Sequence, residues 1–384
     1  MEVARGTGEI CVSAAPGNPL HRLAALGQSA WLDYIDRALL AGGGLERLIR
    51  EDGISGVTSN PAIFEQAIAQ HVEYDAAIAL LARRGAGATE IYEALAVEDV
   101  CRAADLLGGV YAASGGRDGY VSLEVSPLLA HDTEATVAEA QRLWARVARP
   151  NLMIKVPATR AGLTAVKELI GAGVNVNATL LFGVARYREV MEAHLAGLER
   201  RVATGKPLDR IASVASFFLS RIDSLVDRVL DRHSAREVAR SLRGRAAIAS
   251  ARMAYQYFQG CLVSSRWQRM AARGARPQRL LWASTSTKDP AYSDVKYVEA
   301  LIGPDTVNTL PPETVAAYRE HGNPSRRLEE ELDAARALPG QLAALGIELA
   351  AVGEELERQG VQKFIEPYER LLATLTRRAH ELAA

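Results

Sequence analysis

The chain has 384 residues, which is enough for one large domain or two of ordinary size. Its 45 lysine and arginine residues nearly balance its 46 aspartate and glutamate residues, which argues against a nucleic-acid-binding protein or a polybasic membrane module. No apolar run approaches the roughly 18 residues of a membrane-spanning helix, and the first 20 residues lack the apolar core of a signal peptide. We therefore expect a cytoplasmic protein that binds neither a membrane nor nucleic acid.

The cysteines and histidines predict no metal centre. Cys11, Cys101 and Cys261 are far apart in the chain, and the seven histidines are isolated, without a spacing such as H-E-x-x-H. Scattered cysteines in odd number fit a reduced compartment better than a disulfide framework. We therefore expect no bound metal and no cofactor.

Residues 1–20 are rich in glycine, serine, alanine and proline and show no hydrophobic periodicity, which predicts a mobile tail ahead of a single domain over 21–384. Eight short runs in that domain are predicted strands, because most are nearly continuous apolar segments, as in parallel strands covered on both faces. In chain order they are Ser29–Asp33, Gly56–Ser59, Tyr120–Val125, Leu152–Val156, Val174–Thr179, Arg210–Phe217, Arg279–Ser284 and Thr306–Leu310.

Helical patterns fill the intervals between these strands. Residues 64–118 and 222–278 are each long enough for two or three helices, and roughly 325–384 is also helical in pattern. After the third strand, Asp132 or Thr133 can cap a helix with apolar residues at helical spacing. The two long intervals are therefore predicted helical insertions in an alternating βα chain.

Eight strands in alternation with helices favour the α/β class and a (β/α)8 TIM barrel with extra inserted helices. The alternative is a doubly wound open sheet. That fold usually carries a glycine-rich phosphate turn after its first strand, and the chain contains neither G-x-G-x-x-G nor G-x-x-x-x-G-K-[ST]. The barrel is therefore the favoured prediction.

Polar residues stand at or near the carboxyl ends of most predicted strands. In a (β/α)8 barrel these ends meet at one face and form the active site. The residues, in chain order, are Asp33, Asn60, Glu124, Lys155, Asn177, Thr179, Ser216 and Ser284, with Lys288 a little beyond. We expect their side chains to converge on one mouth.

Lys155 is the most informative of these residues, because it interrupts the apolar run from Leu152 to Val156. The chain has only six lysines against 39 arginines, so a lysine in an unusual setting suggests chemistry that arginine cannot perform. Burial disfavours the ammonium form, and a neutral amine can attack a ketone to form a Schiff base. The alternative is a structural lysine paired with a buried carboxylate.

Asp33 and Glu124 are the candidate acids and bases. A carboxylate in contact with Lys155 would favour the ammonium form, so we expect neither acid to be its tight ion-pair partner. One acid would move protons through a water as the carbinolamine forms and dehydrates, and the other would take a proton from a substrate hydroxyl as a C–C bond breaks. The alternative for each acid is a cap on the next helix.

Two cations are candidate phosphate ligands. Arg221 follows Ser216 by five residues in SFFLSRID and is predicted in the next loop or first helical turn, where a helix N-terminus helps to bind an anion. Lys288 lies in the hydroxyl-rich segment ASTSTKDP. The alternatives are an interhelical salt bridge for Arg221 and a solvated loop cation for Lys288.

Taken together, seven segments resemble those of transaldolases, and the length suggests the longer bacterial members. The resemblance runs from about residue 20 to the C-terminus, and the TSNP, IKVPAT and NVNATLLF motifs carry most of its specificity. The segments are GVTSNPAIFEQAI (56–68), YVSLEVSP (120–127), NLMIKVPAT (151–159), GVNVNATLLF (173–182), SFFLSRID (216–223), STSTKDPAYSD (284–294) and GPDTVNTLPPET (303–314).

The resemblance implies a (β/α)8 barrel and a metal-free class I aldol mechanism. Lys155 would form the Schiff base, Asp33 would act as base for C–C cleavage, and Glu124 would work with a catalytic water. Substrate-binding roles would fall on Asn60, Asn177, Thr179, Ser216, Arg221 and Lys288. Compact transaldolases carry a second phosphate-binding arginine after strand seven, and this chain has Ser286 at that position and Lys288 two residues later.

The implied reaction moves a dihydroxyacetone unit from sedoheptulose 7-phosphate to glyceraldehyde 3-phosphate, which gives erythrose 4-phosphate and fructose 6-phosphate in the pentose phosphate pathway. Two alternatives stay open. A class I aldolase that releases free dihydroxyacetone would need the same Lys155. A catalytically silent barrel would be expected to have lost a strand-end group, whereas Asp33, Glu124 and Lys155 are all present.

Overall fold

A computed structural model of the chain describes residues 18–383. Its eight strands are parallel and form a closed barrel in which each strand pairs with the next along the chain and the last pairs with the first. The strands are β1 (Gln28–Leu32), β2 (Gly56–Thr58), β3 (Tyr120–Glu124), β4 (Leu152–Pro157), β5 (Val176–Leu181), β6 (Ser213–Phe218), β7 (Arg279–Ala283) and β8 (Thr306–Leu310). The predicted (β/α)8 barrel is therefore confirmed, and the open sheet is wrong.

Helices surround the barrel and follow every strand. They are α1 (Pro19–Ala25), α2 (Arg37–Ala41), α3 (Gly44–Asp52), α4 (Pro61–Gln70), α5 (Asp75–Arg83), α6 (Ala88–Leu106), α7 (Gly108–Ala113), α8 (Thr133–Val147), α9 (Arg160–Ala172), α10 (Val184–Ala203), α11 (Ser220–Leu230), α12 (Arg236–Leu242), α13 (Ala246–Leu262), α14 (Ser265–Ala271), α15 (Lys296–Ala300), α16 (Pro312–His321), α17 (Leu332–Ala343) and α18 (Leu349–Ala383). Short 3-10 segments occupy Val72–Tyr74 and Pro127–Leu129.

All eight predicted strands are present, and their ends differ from the predicted ends by no more than three residues. Helices also fill the two long intervals and the C-terminal segment, as predicted. Asp132 is the residue that caps α8, since its side chain accepts a hydrogen bond from the backbone N–H of Ala135. Of the predicted tail, residues 1–17 lie outside the described residues, and α1 begins at Pro19 with Asn18 as its cap.

A glycine at the start of β2 allows this strand to lie close to β1. Trp31 on β1 is fully buried, and Gly56 at the start of β2 lies against its indole ring. A Cβ at position 56 would approach the ring to 2.5 Å, so only glycine allows β2 to pair with β1 at this point. This pairing brings the end of β2 beside the end of β1 and so positions two of the predicted site segments.

The C-terminal helix α18 has 35 residues and packs against α4, α5, α6 and α11. It also contacts β5, which places part of the helix at the carboxyl ends of the strands. No helix within residues 18–383 combines the length and apolar character needed to cross a membrane.

Candidate active site

A cavity of about 280 Å³ opens at the carboxyl ends of the barrel strands. Seven of the nine predicted site residues line it, namely Asp33, Asn60, Lys155, Thr179, Ser216, Arg221 and Lys288. The other two adjoin it through direct contacts, Glu124 with Lys155 and Asn177 with Ser216. The convergence predicted from the strand ends is therefore observed.

Lys155 lies on β4 between Glu124 on β3 and Asn177 on β5, in register with both. Its side chain is only 5% exposed. The Nζ atom donates a hydrogen bond to the backbone carbonyl of Ser59 at 3.1 Å and lies 5.5 Å from the centre of the Phe364 ring. The Lys155 amine is therefore buried, donates one hydrogen bond to the backbone and faces the cavity.

Glu124 corrects the expectation that neither acid pairs with Lys155, because its Oε2 atom lies 3.5 Å from the lysine Nζ. The two residues are register partners on adjacent strands, which forces their side chains together. The separation is at the outer limit of a hydrogen bond, and neither carboxyl oxygen has a hydrogen-bond partner among the described residues.

Burial raises the pKa of Glu124 to about 7, against the opposing effect of Lys155. The carboxyl can therefore exchange a proton near neutral pH, which suits a group that protonates a leaving hydroxide and later activates water. Glu124 also lines a separate small cavity of about 30 Å³ with Tyr92, Glu139 and Tyr368, which is room for about one water molecule.

Asp33 follows the last residue of β1 and is fixed from two sides. Its backbone N–H donates to the carbonyl of Leu310 at 2.8 Å, and its Oδ1 atom accepts from the hydroxyl of Thr58 at 2.7 Å. Since Thr58 gives its proton to Asp33, the hydroxyl of Thr309, 2.6 Å away, is the donor to Thr58. Burial raises the pKa of Asp33, while Lys155 and Thr58 oppose the rise.

Two asparagines border the cavity in different ways. Asn60 caps α4, since its Oδ1 atom accepts from the backbone N–H groups of Ala62 and Ile63. Its amide nitrogen stays available to a ligand. Asn177 donates from Nδ2 to the hydroxyl of Ser122 at 3.1 Å and accepts from Ser216 at 2.6 Å, so both ends of its amide are oriented.

Two non-glycine residues with positive φ flank the cavity. Leu180 (φ 62°) lies at a register irregularity between Ala178 and Leu181 on β5 and directly follows Thr179. Ser284 (φ 54°) directly follows β7, and its hydroxyl contacts that of Ser220 at 2.8 Å. Such backbone strain costs about 1–3 kcal/mol per residue and is concentrated at functional sites.

The two candidate phosphate ligands, Arg221 and Lys288, differ in burial and in hydrogen bonding. Arg221 lies in the first turn of α11, and its Nη1 atom is buried without a hydrogen-bond partner among the described residues. Within that same part of the chain Arg221 forms no salt bridge, so the predicted interhelical alternative is not observed. Lys288 is part of an exposed loop, where its Nζ atom donates to the hydroxyl of Ser286 at 2.7 Å.

The family model described as "Transaldolase/Fructose-6-phosphate aldolase" matches residues 30–375. The chain belongs to this family. Similar proteins include "Transaldolase 2" of Nostoc sp., with 48% identity over 93% of this chain and 97% of the relative. "Transaldolase" of Thiobacillus denitrificans is 49% identical over 91% of this chain and 97% of its own length. "Transaldolase 1" of Streptomyces coelicolor is 48% identical over 95% and 96%.

Several lining residues of this transaldolase-family barrel were missed by the sequence reasoning. Thr58 donates a hydrogen bond to Asp33, and Thr309 contacts Thr58. Lys363 and Phe364 line the cavity from α18. Thr58 belongs to the TSNP motif and could have been found there. Lys363 is one of the six lysines, so the argument applied to Lys155 offered a signal for it as well.

Proposed function

We propose that the protein is a transaldolase that moves a dihydroxyacetone unit from sedoheptulose 7-phosphate to glyceraldehyde 3-phosphate and thereby forms erythrose 4-phosphate and fructose 6-phosphate. The observation that carries this proposal is the buried Lys155 amine, 3.5 Å from Glu124 and in the same cavity as Asp33. An aldol transfer through a Schiff base requires an amine nucleophile and nearby groups that donate and accept protons, and Lys155, Glu124 and Asp33 can supply these. The relatives named transaldolase support the same assignment.

In the proposed first step the neutral Lys155 amine attacks the donor ketone and forms a carbinolamine. Glu124, whose pKa burial raises to about 7, gives a proton through a water to the carbinolamine hydroxyl. That hydroxyl leaves as water, and an iminium remains on Lys155. Glu124 is then a carboxylate and can accept a proton in the reverse step, when water attacks the iminium to release product.

In the second step Asp33 takes the proton of the C4 hydroxyl. The electron pair of the C3–C4 bond moves into the iminium, the first aldose leaves, and an enamine stays bound to Lys155. The enamine carbon then attacks the acceptor aldehyde, and Asp33 returns its proton to the new C4 alkoxide. The centre of the Phe364 ring lies 5.5 Å from the lysine nitrogen, and we propose that this ring limits the access of water that would protonate the enamine.

The remaining predicted residues would hold the sugar. We propose that the amides of Asn60 and Asn177 bind the hydroxyls of the retained three-carbon unit, and that Thr179 positions the water used by Glu124. The Thr179 hydroxyl is buried without a partner among the described residues, which leaves it able to bind one. Ser216 orients Asn177, while Arg221 and Lys288 would bind the phosphate.

The second candidate is an aldolase that releases free dihydroxyacetone, since the family model covers fructose-6-phosphate aldolases too. Product analysis separates the two. With fructose 6-phosphate and erythrose 4-phosphate, a transaldolase forms sedoheptulose 7-phosphate and releases little dihydroxyacetone when the acceptor is omitted. Free dihydroxyacetone formed as fast without the acceptor as transfer proceeds with it would contradict the proposal. Lys155→Arg is the control and should form neither product.

We further propose a cytoplasmic enzyme whose partners are small sugar phosphates, without nucleic acid, and in which 21–384 act as one domain. The support for one domain is that α18 packs across helices from distant parts of the chain. Limited proteolysis tests it, because a single domain should resist cleavage across α12–α14 until it unfolds as a whole.

A further inference from the structure

The C-terminal helix α18 contributes two neighbouring residues to the wall of the active-site cavity. Phe364 is buried and lies over the Lys155 amine, whereas Lys363 is exposed. Successive side chains on a helix point about 100° apart, so the helix can present an apolar group to the reacting centre and a cation to the rim. One turn of α18 therefore extends from the imine position to the entrance of the cavity.

Lys363 forms no salt bridge with any acid in residues 18–383. Arg221 and Lys288 also line the cavity and are likewise without an ion-pair partner in that range. The three cations come from three separate elements: α11, the loop after β7, and α18. Asp33 and Glu313 are the acids among the lining residues, and neither forms a salt bridge with these cations.

Like charges placed close together repel one another. α18 packs against α11. Partial burial and the positive charges of Arg221 and Arg228 lower the pKa of Lys363, against the opposing effect of Glu366. Surface cations usually relieve such repulsion by pairing with nearby carboxylates. Unpaired cations that converge on a cleft instead create a positive potential that concentrates anions there.

We propose that Lys363 is a phosphate-binding residue of this enzyme, and that it holds the substrate phosphate together with Arg221 and Lys288. The assignment rests on the proposed function, because a sugar phosphate bound as an imine to Lys155 extends along the cavity from Phe364 toward this group of cations. A phosphate dianion neutralises their repulsion, and Arg221 offers it a buried donor, Nη1, that has no hydrogen-bond partner among residues 18–383. The C-terminal helix thereby becomes part of the substrate site.

The test compares Lys363→Met and Lys363→Arg with Lys206→Met. Lys206 is exposed and precedes β6, at the opposite end of the barrel, so its removal changes the net charge equally without touching the cavity. Inorganic phosphate is titrated into each protein by calorimetry, and the KM for fructose 6-phosphate is measured in the transfer assay. Loss of one charged contact should weaken phosphate binding and raise this KM about tenfold in Lys363→Met.

Lys363→Arg should restore most of both values, and Lys206→Met should match the wild type. Phosphate affinity that is equal in Lys363→Met and the wild type would overturn the inference, whatever the chemistry at Lys155. An equal loss in Lys206→Met would also overturn it, because the effect would then come from net charge alone. A wild type that binds phosphate through Lys363 but transfers no dihydroxyacetone unit would refute the proposed function and leave the phosphate site standing.

Discussion

Glu124 should make both the stability and the activity of the protein depend on pH near neutrality. Its side chain is 2% exposed, and burial raises its pKa from the ordinary 4.5 to about 7. Each pKa unit is about 1.36 kcal/mol, so this difference is about 3 kcal/mol. Glu124→Gln keeps the shape of the side chain and removes its titration.

Whether stability rises or falls with pH depends on which state of the protein, folded or unfolded, keeps the Glu124 proton. Between about pH 4.5 and 7 the folded protein keeps the Glu124 proton, whereas the unfolded chain has lost it. The contribution of the Glu124 carboxyl to the free energy of unfolding is therefore fully present below pH 4.5 and is lost as the pH rises through 7. The free energy of unfolding of the wild type, relative to Glu124→Gln, should fall by about 3 kcal/mol over this interval.

Urea unfolding of both proteins at a series of pH values measures this difference, and Asp33→Asn serves as the control for the other buried acid. In parallel, Glu124→Gln should slow imine formation by about a hundredfold or more, as expected when a general acid is removed. A stability difference that stays constant between pH 4.5 and 8, or one that rises with pH, would refute the reasoning about this carboxyl.

The other predictions concern the second acid and the aromatic wall. Asp33→Asn should still form the imine with fructose 6-phosphate but lose C–C cleavage by about a hundredfold or more; loss of imine formation as well would show that the two acids divide their work differently. Phe364→Ala should raise the ratio of free dihydroxyacetone to transfer product, measured without and with acceptor, because water reaches the enamine. An unchanged ratio in a folded variant would show that Phe364 does not exclude water, and Ile365→Ala on the same helix is the matched control.

The barrel could be predicted from sequence because parallel strands covered on both faces are nearly continuous apolar runs. Lys155 stood out for the same reason, since a lysine inside such a run is conspicuous. The exact residues at which strands end are harder to predict from the sequence than the strands themselves. β5 continues to Leu181 across a register irregularity between Ala178 and Leu181. A positive φ at Leu180 leaves no trace in the local sequence.

The contacts between strands were harder to foresee. Glu124 was expected to lie apart from Lys155 on electrostatic grounds, yet strand register places the two side chains together. Electrostatics alone could not predict the register, whereas the position of each residue, next to last in its predicted strand, could have indicated it. Lys363 was not predicted because it lies 208 positions after Lys155 in the sequence, and only the packing of α18 on the barrel brings it to the cavity.

The most direct measurement of the central claim is borohydride trapping with fructose 6-phosphate, followed by peptide mass analysis. Borohydride should reduce the imine between Lys155 and the sugar to a stable secondary amine, on the peptide that contains position 155 and on no other. Trapping at another lysine such as Lys288 or Lys363, or no trapping in a folded preparation, would contradict the account.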